Sequence, residues 1–210
     1  MNNSNTLIDS LIASHILKGA ALIKAFRAVD RADFVRKEYQ NEAYEDYPLP
    51  IGCGQTISQP TTVVFMLERL DPQDGEKILD VGSGSGWTTA LLAYIVGKQG
   101  SVHGVEIIPE LVAFGKGNLT KYTFPHAYIK QAHPDTLGLP EHAPFDKILV
   151  SAAATELPQA LLDQLKEGGR MVIPVRGAIW YIEKISATEI RKHEYPGFAF
   201  VPLVEKNIGV

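Results

Sequence analysis

Apolar side chains recur every three to four positions in two stretches near the start of the chain. The first stretch covers residues 6–18, where Thr6 and Asp9 have the spacing of a capping box, and the second covers residues 21–29. This spacing places the apolar residues on one face of a helix. It therefore predicts two amphipathic helices, followed by residues 31–47, which show no clean period.

From residue 77 onward, short runs rich in β-formers alternate with amphipathic helical runs. Strands are predicted over residues 77–81, 101–107, 127–131, 146–151 and 170–175, and helices over residues 86–96, 109–122 and 157–166. Pro158 suits a first helical turn, and Gly168 suits a helix end. Such alternation is typical of βαβ units around a parallel sheet.

Beyond Gly177, three more strands are predicted, over residues 179–186, 189–195 and 198–204. No helix separates them, so we expect them to pair antiparallel at one end of the sheet. The predicted fold class is α/β: a Rossmann-like, doubly wound, mostly parallel sheet with antiparallel C-terminal strands and an N-terminal helical segment.

Composition and charge narrow the class of protein. The 210 residues, 45% of them hydrophobic, suffice for one sheet-centred core, and the net charge of -4 has the wrong sign for a nucleic-acid binder. The longest apolar run, residues 90–96, is too short to span a bilayer, and the N-terminus lacks the features of a secretory signal. The single Cys53 suits a reducing cytosol, and the six histidines lack metal-ligand spacing. We therefore expect a cytoplasmic monomer without metal, membrane or nucleic-acid partners.

A glycine-rich turn follows the first predicted strand of the sheet and opens a helix. It runs from Gly82 to Gly86, and such a turn lets the backbone approach a ligand while the helix offers free N–H groups. A dinucleotide fingerprint would place Gly or Ala where this chain has Trp87. Glu106, at the end of the next strand, is placed to accept hydrogen bonds from ribose hydroxyls. These residues favour S-adenosylmethionine over NAD, and a ligand-free turn with a solvated Glu106 is the alternative.

Residues 46–60 are dense in turn formers, hydroxyls and amides, with apolar anchors at Leu49, Ile51 and Ile57. Loops of this kind often bind or catalyse. The alternative is a connector in which Ser58 or Thr61 caps the next helix.

Several blocks of the chain resemble one enzyme family. Residues 43–60, with Pro-Leu-Pro-Ile-Gly at 48–52 and Gly-Gln-Thr-Ile-Ser-Gln-Pro at 54–60, resemble the hallmark segment of the protein-L-isoaspartate O-methyltransferases. Residues 80–87 resemble that family's adenosylmethionine loop, and residues 143–146, 168–175 and 200–203 resemble further family blocks. The resemblance extends over about residues 20–204. Its hallmark segment is highly specific, whereas the glycine loop is shared by many methyltransferases.

The resemblance implies that S-adenosyl-L-methionine is the cofactor and that the substrate is the free carboxylate of L-isoaspartyl residues in damaged proteins or peptides. It implies that Ser58 is the active-site hydroxyl, that Thr56 and Ile57 flank the cofactor, and that Gly82 and Glu106 hold its methionine and ribose portions. The residues predicted to bind the cofactor are Thr56, Ile57, Asp80, Gly82, Ser83, Gly84, Gly86, Glu106, Ile107 and Asp135.

We expect a single methyltransferase domain over residues 1–210. Within it, residues 1–60 carry the N-terminal helices and the active-site loop, residues 75–176 form the cofactor-binding core, and residues 177–210 form the C-terminal strands. Two positions depart from the family pattern. Residues 133–135 read His-Pro-Asp where the family usually has Gly-Asp-Gly, which moves the acid on the adenine side by one position to Asp135. Thr61 stands where the family usually carries Tyr or His.

Methyl transfer to a carboxylate that is already ionised at pH 7 needs no general base. We therefore expect the Ser58 hydroxyl to orient the acceptor, and residues 198–204 to grip the peptide backbone. Two other functions stay open: methylation of another peptide or small-molecule carboxylate, and a non-catalytic adenosyl-binding or partner-binding module. The basic cluster Arg27, Arg31, Arg36 and Lys37 is interpreted as a solvated face, with guidance of acidic substrates as the alternative.

Overall fold

A computed structural model describes residues 3–204 of the chain. Helix α1 (Ser4–Ala13) begins after Asn3, whose side chain accepts hydrogen bonds from the backbone N–H and the hydroxyl of Thr6. The predicted cap at Thr6 is therefore wrong, because Asn3 performs that role one turn earlier. The helix also ends sooner than predicted, and His15 adopts a left-handed φ of 55° shortly after its end.

Helix α2 (Ala20–Ala28) confirms the second apolar stripe, and its buried face packs on a later helix of the core. The stretch without a period forms two 3-10 helices, Arg31–Phe34 and Lys37–Glu42. The short hydrogen-bonded turns of such helices leave no 3.6-residue stripe to detect.

A β-hairpin that the sequence patterns did not predict precedes the sheet. Strands β1 (Leu49–Gly52) and β2 (Gln55–Ile57) pair antiparallel around Cys53 and Gly54, whose φ angles are 53° and 70°. Positive φ at both central residues is the signature of the tightest hairpin turns. Helix α3 (Pro60–Leu70) follows directly, so residues 49–60 are ordered by pairing rather than being an open loop.

The main sheet has seven strands within the described residues. They are β3 (Lys77–Val81), β4 (Ser101–Glu106), β5 (Ala127–Gln131), β6 (Phe145–Val150), β7 (Leu165–Val175), β8 (Ala178–Lys184) and β9 (Ile190–Pro196). Their order is β5-β4-β3-β6-β7-β8-β9, with β3 to β7 parallel and the last two antiparallel. The strand order reverses at β3, and such switch points are where open α/β sheets bind ligands. The predicted fold class is confirmed.

Three helices lie between the strands: α4 (Trp87–Val96), α5 (Pro109–Leu119) and α6 (Gln159–Gln164). Helix α6 ends earlier than predicted, because the chain enters β7 at Leu165 and Gly168 lies within that strand. The predicted helix end at Gly168 is therefore wrong. The strand accommodates Gly168, at φ 76°, through a register shift against β6.

The third C-terminal strand, predicted over residues 198–204, is also absent from the sheet. Gly197 turns the chain away from β9 with a φ of 97°, and Pro202 then forms an isolated parallel bridge with Ala153. A proline cannot donate a ladder hydrogen bond, which makes a regular strand through Pro202 unfavourable. Residues 201–204 instead run along the end of the sheet.

The core fills both faces of the sheet. Apolar residues of β3 and β6 are almost completely buried, Ile78 and Ile148 among them, as is most of α4. This continuous burial is typical of a parallel sheet covered on both sides. Within the described range, no helix combines the length and the apolar character that crossing a bilayer requires.

Candidate functional site

A pocket opens where β3, β4 and β6 end. We name three of its sides by the residues that line it: the glycine-loop wall (81–85, 87, 88 and 105–108), the hairpin wall (51 and 55–58) and the C-terminal wall (201–204). Residues 132–134 and 136–138, which follow β5, line a further side. Eight of the predicted site residues line it: Thr56, Ile57, Ser58, Gly82, Ser83, Gly84, Glu106 and Ile107. Lining residues from positions 51 to 204 thus meet at the switch point of the sheet.

The glycine-loop wall is held by backbone hydrogen bonds. The N–H groups of Gly82 and Ser83 both donate to the Val105 carbonyl, at 2.9 and 3.0 Å. Glycine is required on the facing helix as well, because a Cβ at Gly115 would lie 2.7 Å from the Gly84 carbonyl oxygen. The turn therefore packs closely between β4 and α5, and its own backbone hydrogen bonds define its shape.

Glu106 is buried, and it is anchored at both carboxylate oxygens. One oxygen accepts from the Gly84 N–H and the other from the Ile108 N–H, each at 3.0 Å. A carboxylate has about four acceptor sites, so both oxygens can still accept a hydroxyl hydrogen. This fixed, buried acceptor in the pocket wall suits a diol such as a ribose.

Asp80 lies beneath the turn and does not line the pocket. It is completely buried, and one of its oxygens accepts from the hydroxyls of Thr88 and Thr89 at 2.8 and 2.6 Å. Burial raises the pKa of Asp80 from 3.8 to about 6, against the opposing effect of the two hydroxyls. Asp80 thus ties the strand end to the first turn of α4.

Polar atoms without partners mark the pocket as a place for a ligand. The Ser83 hydroxyl and the Trp87 indole N–H are buried and have no hydrogen-bond partner among the described residues, although both residues line the pocket. Such groups are costly unless something pairs with them. Together with Glu106 and the apolar face of Trp87, they fit a ligand that combines a sugar, an aromatic base and a charged polar tail, as S-adenosyl-L-methionine does.

Ser58 occupies the hairpin wall at the end of β2. It is half-buried, and its hydroxyl has no partner within residues 3–204. It does not cap α3, since that helix has no side-chain cap at Gln59; instead, the exposed Asp46 accepts hydrogen bonds from the N–H and the hydroxyl of Thr61. The Ser58 hydroxyl therefore remains available to a ligand.

The Arg31 guanidinium holds the backbone of the same segment. Its side chain is 3% exposed and donates to four carbonyls, one of them that of Ser58. The interpretation of Arg31 as part of a solvated face is wrong, because these carbonyls replace its hydration.

Three predicted cofactor residues do not line the pocket: Asp80, Gly86 and Asp135. Gly86 is the N-cap residue of α4, with a φ of 86°. Asp135 is exposed, and its backbone N–H donates to His133 Nδ1 at 3.2 Å, while His133 and Pro134 themselves line the pocket.

Sequence reasoning missed several lining residues. Ser151 and Ala152 follow β6, and the rule that parallel strands end at one edge could have found them. Trp87, whose size disfavours a dinucleotide, also lines the pocket. The local pattern over residues 201–204 predicts a strand of the sheet, and the bridge to Ala153 places these residues in the pocket wall instead.

The pocket has an unusual charge balance. Among its described lining residues Glu106 is the only carboxylate, and none is Lys or Arg. Within residues 3–204 no cluster of three His, Cys, Asp or Glu residues is placed to hold a metal ion. An anionic acceptor in this pocket would therefore meet neutral donors rather than a cation.

Comparison with known proteins adds independent information. Residues 2–208 match the family model described as Protein-L-isoaspartate(D-aspartate) O-methyltransferase (PCMT). A relative named protein-L-isoaspartate O-methyltransferase from Methanopyrus kandleri is 43% identical, over 94% of this chain and 89% of its own length. One with the same name from Aeropyrum pernix is also 43% identical, over 96% and 79% of the two chains. A crystal structure of a Plasmodium falciparum protein assigned to this family, in complex with S-adenosyl-L-homocysteine, matches with a TM-score of 0.86 and 29% identity over 98% of this chain and all of the other.

Proposed function

This chain belongs to the protein-L-isoaspartate(D-aspartate) O-methyltransferase family, and we propose that it methylates the free carboxylate of L-isoaspartyl residues in damaged proteins or peptides, with Ser58 orienting that carboxylate. The observation that carries the proposal is the meeting of Ser58, the glycine turn and Glu106 around one pocket. A methyl donor held by the glycine-loop wall and an acceptor held by the hairpin wall would then face each other.

The glycine-loop wall would hold the cofactor. Glu106 has acceptor sites for the ribose hydroxyls, and the unpaired Ser83 hydroxyl and Trp87 N–H are available to polar groups. When bound, S-adenosyl-L-methionine supplies a methyl group on a positively charged sulfur, and S-adenosyl-L-homocysteine remains once the methyl has passed to a carboxylate oxygen. The protein's contribution is to orient the acceptor and exclude water.

The absence of cations among the described lining residues supports this chemistry. The acceptor carboxylate is ionised at pH 7 and needs no base, so the site requires no proton transfer. Opposite charges cancel during the transfer, and a strong cationic clamp would stabilise the separated charges of the ground state more than the transition state. The neutral Ser58 hydroxyl can instead donate one hydrogen bond to the carboxylate and hold it in line.

We also propose that the C-terminal wall contacts the substrate backbone. Ala153 donates to the Val201 carbonyl and accepts from the Leu203 N–H, each at 2.8 Å. In an extended segment the remaining polar groups, the Pro202 carbonyl and the N–H and carbonyl of Val204, would point to the opposite edge. That edge can add an extended peptide through main-chain hydrogen bonds, which would tolerate many sequences around the damaged residue.

We also propose that the enzyme is cytoplasmic and monomeric. The cytoplasmic location is supported by the exposed thiol of Cys53, which suits a reducing compartment, and the net charge of -4 disfavours nucleic acid as a partner.

The test uses the full chain, S-adenosyl-L-methionine and two peptides that differ only in an isoaspartyl or an aspartyl linkage. We expect a mass gain of one methyl group on the isoaspartyl peptide alone, followed by methanol release as the ester cyclises. Methylation of both peptides, or of a different carboxylate only, would redefine the substrate. Methylation of neither peptide, with cofactor binding retained, would overturn the proposed activity.

A further inference from the structure

The Arg31 side chain donates hydrogen bonds to four backbone carbonyls of the segment that leads to the candidate active site. One terminal nitrogen donates to Ala43 and Glu45 at 2.8 and 3.2 Å, and the other donates to Tyr47 and Ser58 at 3.0 and 3.2 Å. Three of these carbonyls lie before the hairpin and the fourth lies directly after it. The side chain thus closes residues 43–58 into a loop around its own head group.

This arrangement differs from an ordinary ion pair. No carboxylate lies within ion-pair distance of Arg31 among the described residues, and the side chain is 3% exposed. Burial lowers the pKa of Arg31 to about 10, while the nearby Asp46 opposes that effect, so the group is charged at pH 7. Hydrogen bonds from a charged donor are about twice as strong as neutral ones. A buried cation fixed by carbonyls therefore resists displacement.

The same guanidinium also contacts the glycine-loop wall. Its central carbon lies 5.5 Å from the centre of the Trp87 ring, within the range of a cation–π interaction. Trp87 lines the pocket, begins α4 directly after the glycine turn, and packs edge-on against Phe26. One buried head group thus touches the Ser58 carbonyl and the first residue of the helix that follows the glycine turn.

We propose that Arg31 is a positioning residue that sets the Ser58 hydroxyl at a fixed distance from the glycine-loop wall. The inference rests on the proposed function of Ser58. Arg36 adds a second anchor, since its Nε donates to the Ile51 carbonyl on β1. Arg31 does not line the pocket, so its effect on the reaction passes through Ser58 and Trp87.

The test compares Arg31→Lys with the unmodified chain. Lysine keeps the charge but has a single ammonium group. That group cannot reach all four carbonyls, which the two terminal nitrogens of the planar guanidinium do reach. We expect kcat for the isoaspartyl peptide to fall about 10- to 100-fold, because a shift of about 1 Å in a reacting group can have an effect of that size. The Kd for S-adenosyl-L-homocysteine, measured by calorimetry, should change less than about threefold, since Gly82 and Glu106 keep their own contacts.

Arg69→Lys is the matched control. Arg69 donates to the Phe65 carbonyl at 2.9 Å and lies between the rings of Phe65 and Tyr195, so it is also a partly buried cation over aromatic rings. It touches neither the hairpin wall nor Trp87. We expect Arg69→Lys to lower thermal stability without changing kcat. Both variants are assayed at a temperature where thermal unfolding shows them fully folded.

The results for the two variants decide whether Arg31 positions Ser58. A normal kcat in folded Arg31→Lys, or a loss equal to that of Arg69→Lys, would overturn the inference. Failure of Arg31→Lys to fold would assign Arg31 to stability alone and overturn it too, as would a loss of cofactor affinity that accounts for the drop in turnover. An unmodified chain that binds cofactor but methylates no isoaspartyl peptide would instead overturn the proposed function.

Discussion

The glycine-loop wall and the hairpin wall face the same pocket but are built in different ways. The first comes from one β3–α4–β4 unit, and backbone groups within that unit hold it, as in the hydrogen bonds from Gly82 and Ser83 to Val105. The second comes from a short hairpin outside the main sheet, and the side chains of Arg31 and Arg36 hold it through its carbonyls. Donor and acceptor are thus held mainly by different contacts, and Arg31 is the group that touches both walls, at the Ser58 carbonyl and the Trp87 ring.

This difference has a functional consequence. The backbone-held wall is rigid and can bind one fixed cofactor, whereas the side-chain-held wall can be adjusted by substitutions that leave the sheet intact. Cofactor affinity and turnover should therefore respond to different residues. Four substitutions test that separation.

Ser58→Ala should produce the largest effect, and it should act on the hairpin wall alone. Loss of the orienting hydroxyl is expected to lower kcat about 1,000-fold, which corresponds to about 4 kcal/mol. The Kd for S-adenosyl-L-homocysteine should change less than about twofold. Steady-state kinetics and calorimetry measure the two quantities, and Cys53→Ala, at the exposed turn of the same hairpin, is the control. Full turnover in Ser58→Ala would remove the proposed role.

Asp80→Asn tests whether the buried Asp80 carboxyl beneath the glycine-loop wall makes the stability of the chain depend on pH. The folded-state pKa of about 6 exceeds the unfolded value of 3.8, so the folded chain binds the proton more tightly between pH 4 and 6. The contribution of Asp80 to the free energy of unfolding therefore decreases by about 3 kcal/mol as pH rises through that range.

The difference in the free energy of unfolding between the unmodified chain and Asp80→Asn, measured by urea unfolding from pH 4 to 7, should decrease by this amount as pH rises. The exposed Asp163→Asn serves as the control. Parallel pH curves for the unmodified chain and Asp80→Asn would contradict the assignment.

Glu106→Gln should weaken cofactor binding and leave turnover at saturating cofactor nearly unchanged. The new amide would oppose the N–H of Gly84 or Ile108 and would remove an acceptor for the ligand. A loss of about 2 kcal/mol, or roughly 30-fold in Kd, is expected. Calorimetry with S-adenosyl-L-homocysteine measures it, with the exposed Glu110→Gln as control. A fall in kcat at unchanged Kd would show that the two walls are not independent.

Asp46→Ala should have the smallest effect. It removes the acceptor for the N–H and hydroxyl of Thr61 at the start of α3, with an expected loss of about 1 kcal/mol in the free energy of unfolding. Asp46→Asn keeps one acceptor oxygen and should recover most of it. Since Arg31 holds the Ser58 backbone separately, kcat should change less than about threefold. A larger drop would mean that Asp46 shares the positioning of Ser58.

The same contrast explains which features could be predicted from the sequence. Strands β3 and β5 have their predicted bounds, because β-rich runs between helical runs are a strong local signal. The same alternation of strands and helices predicts the glycine turn after β3 and the position of Glu106 at the end of the next strand. The burial of Arg31 could not be predicted, since it depends on carbonyls up to 27 residues away, and a cation in a stretch without a period resembles a surface residue. The hairpin was hidden by Pro48 and Pro50, which disfavour a regular strand.

The bridge between Ala153 and Pro202 also bears on how the molecule assembles. The hairpin wall comes from residues 51 and 55–58 and the C-terminal wall from residues 201–204, so the pocket is complete only when both segments lie against the finished sheet. Contacts between residues so far apart in the sequence require the closure of a long loop. The chain loses conformational entropy in that step before the contacts stabilise the fold. During refolding, catalytic competence should thus be the final property to emerge, after the strands and helices have formed.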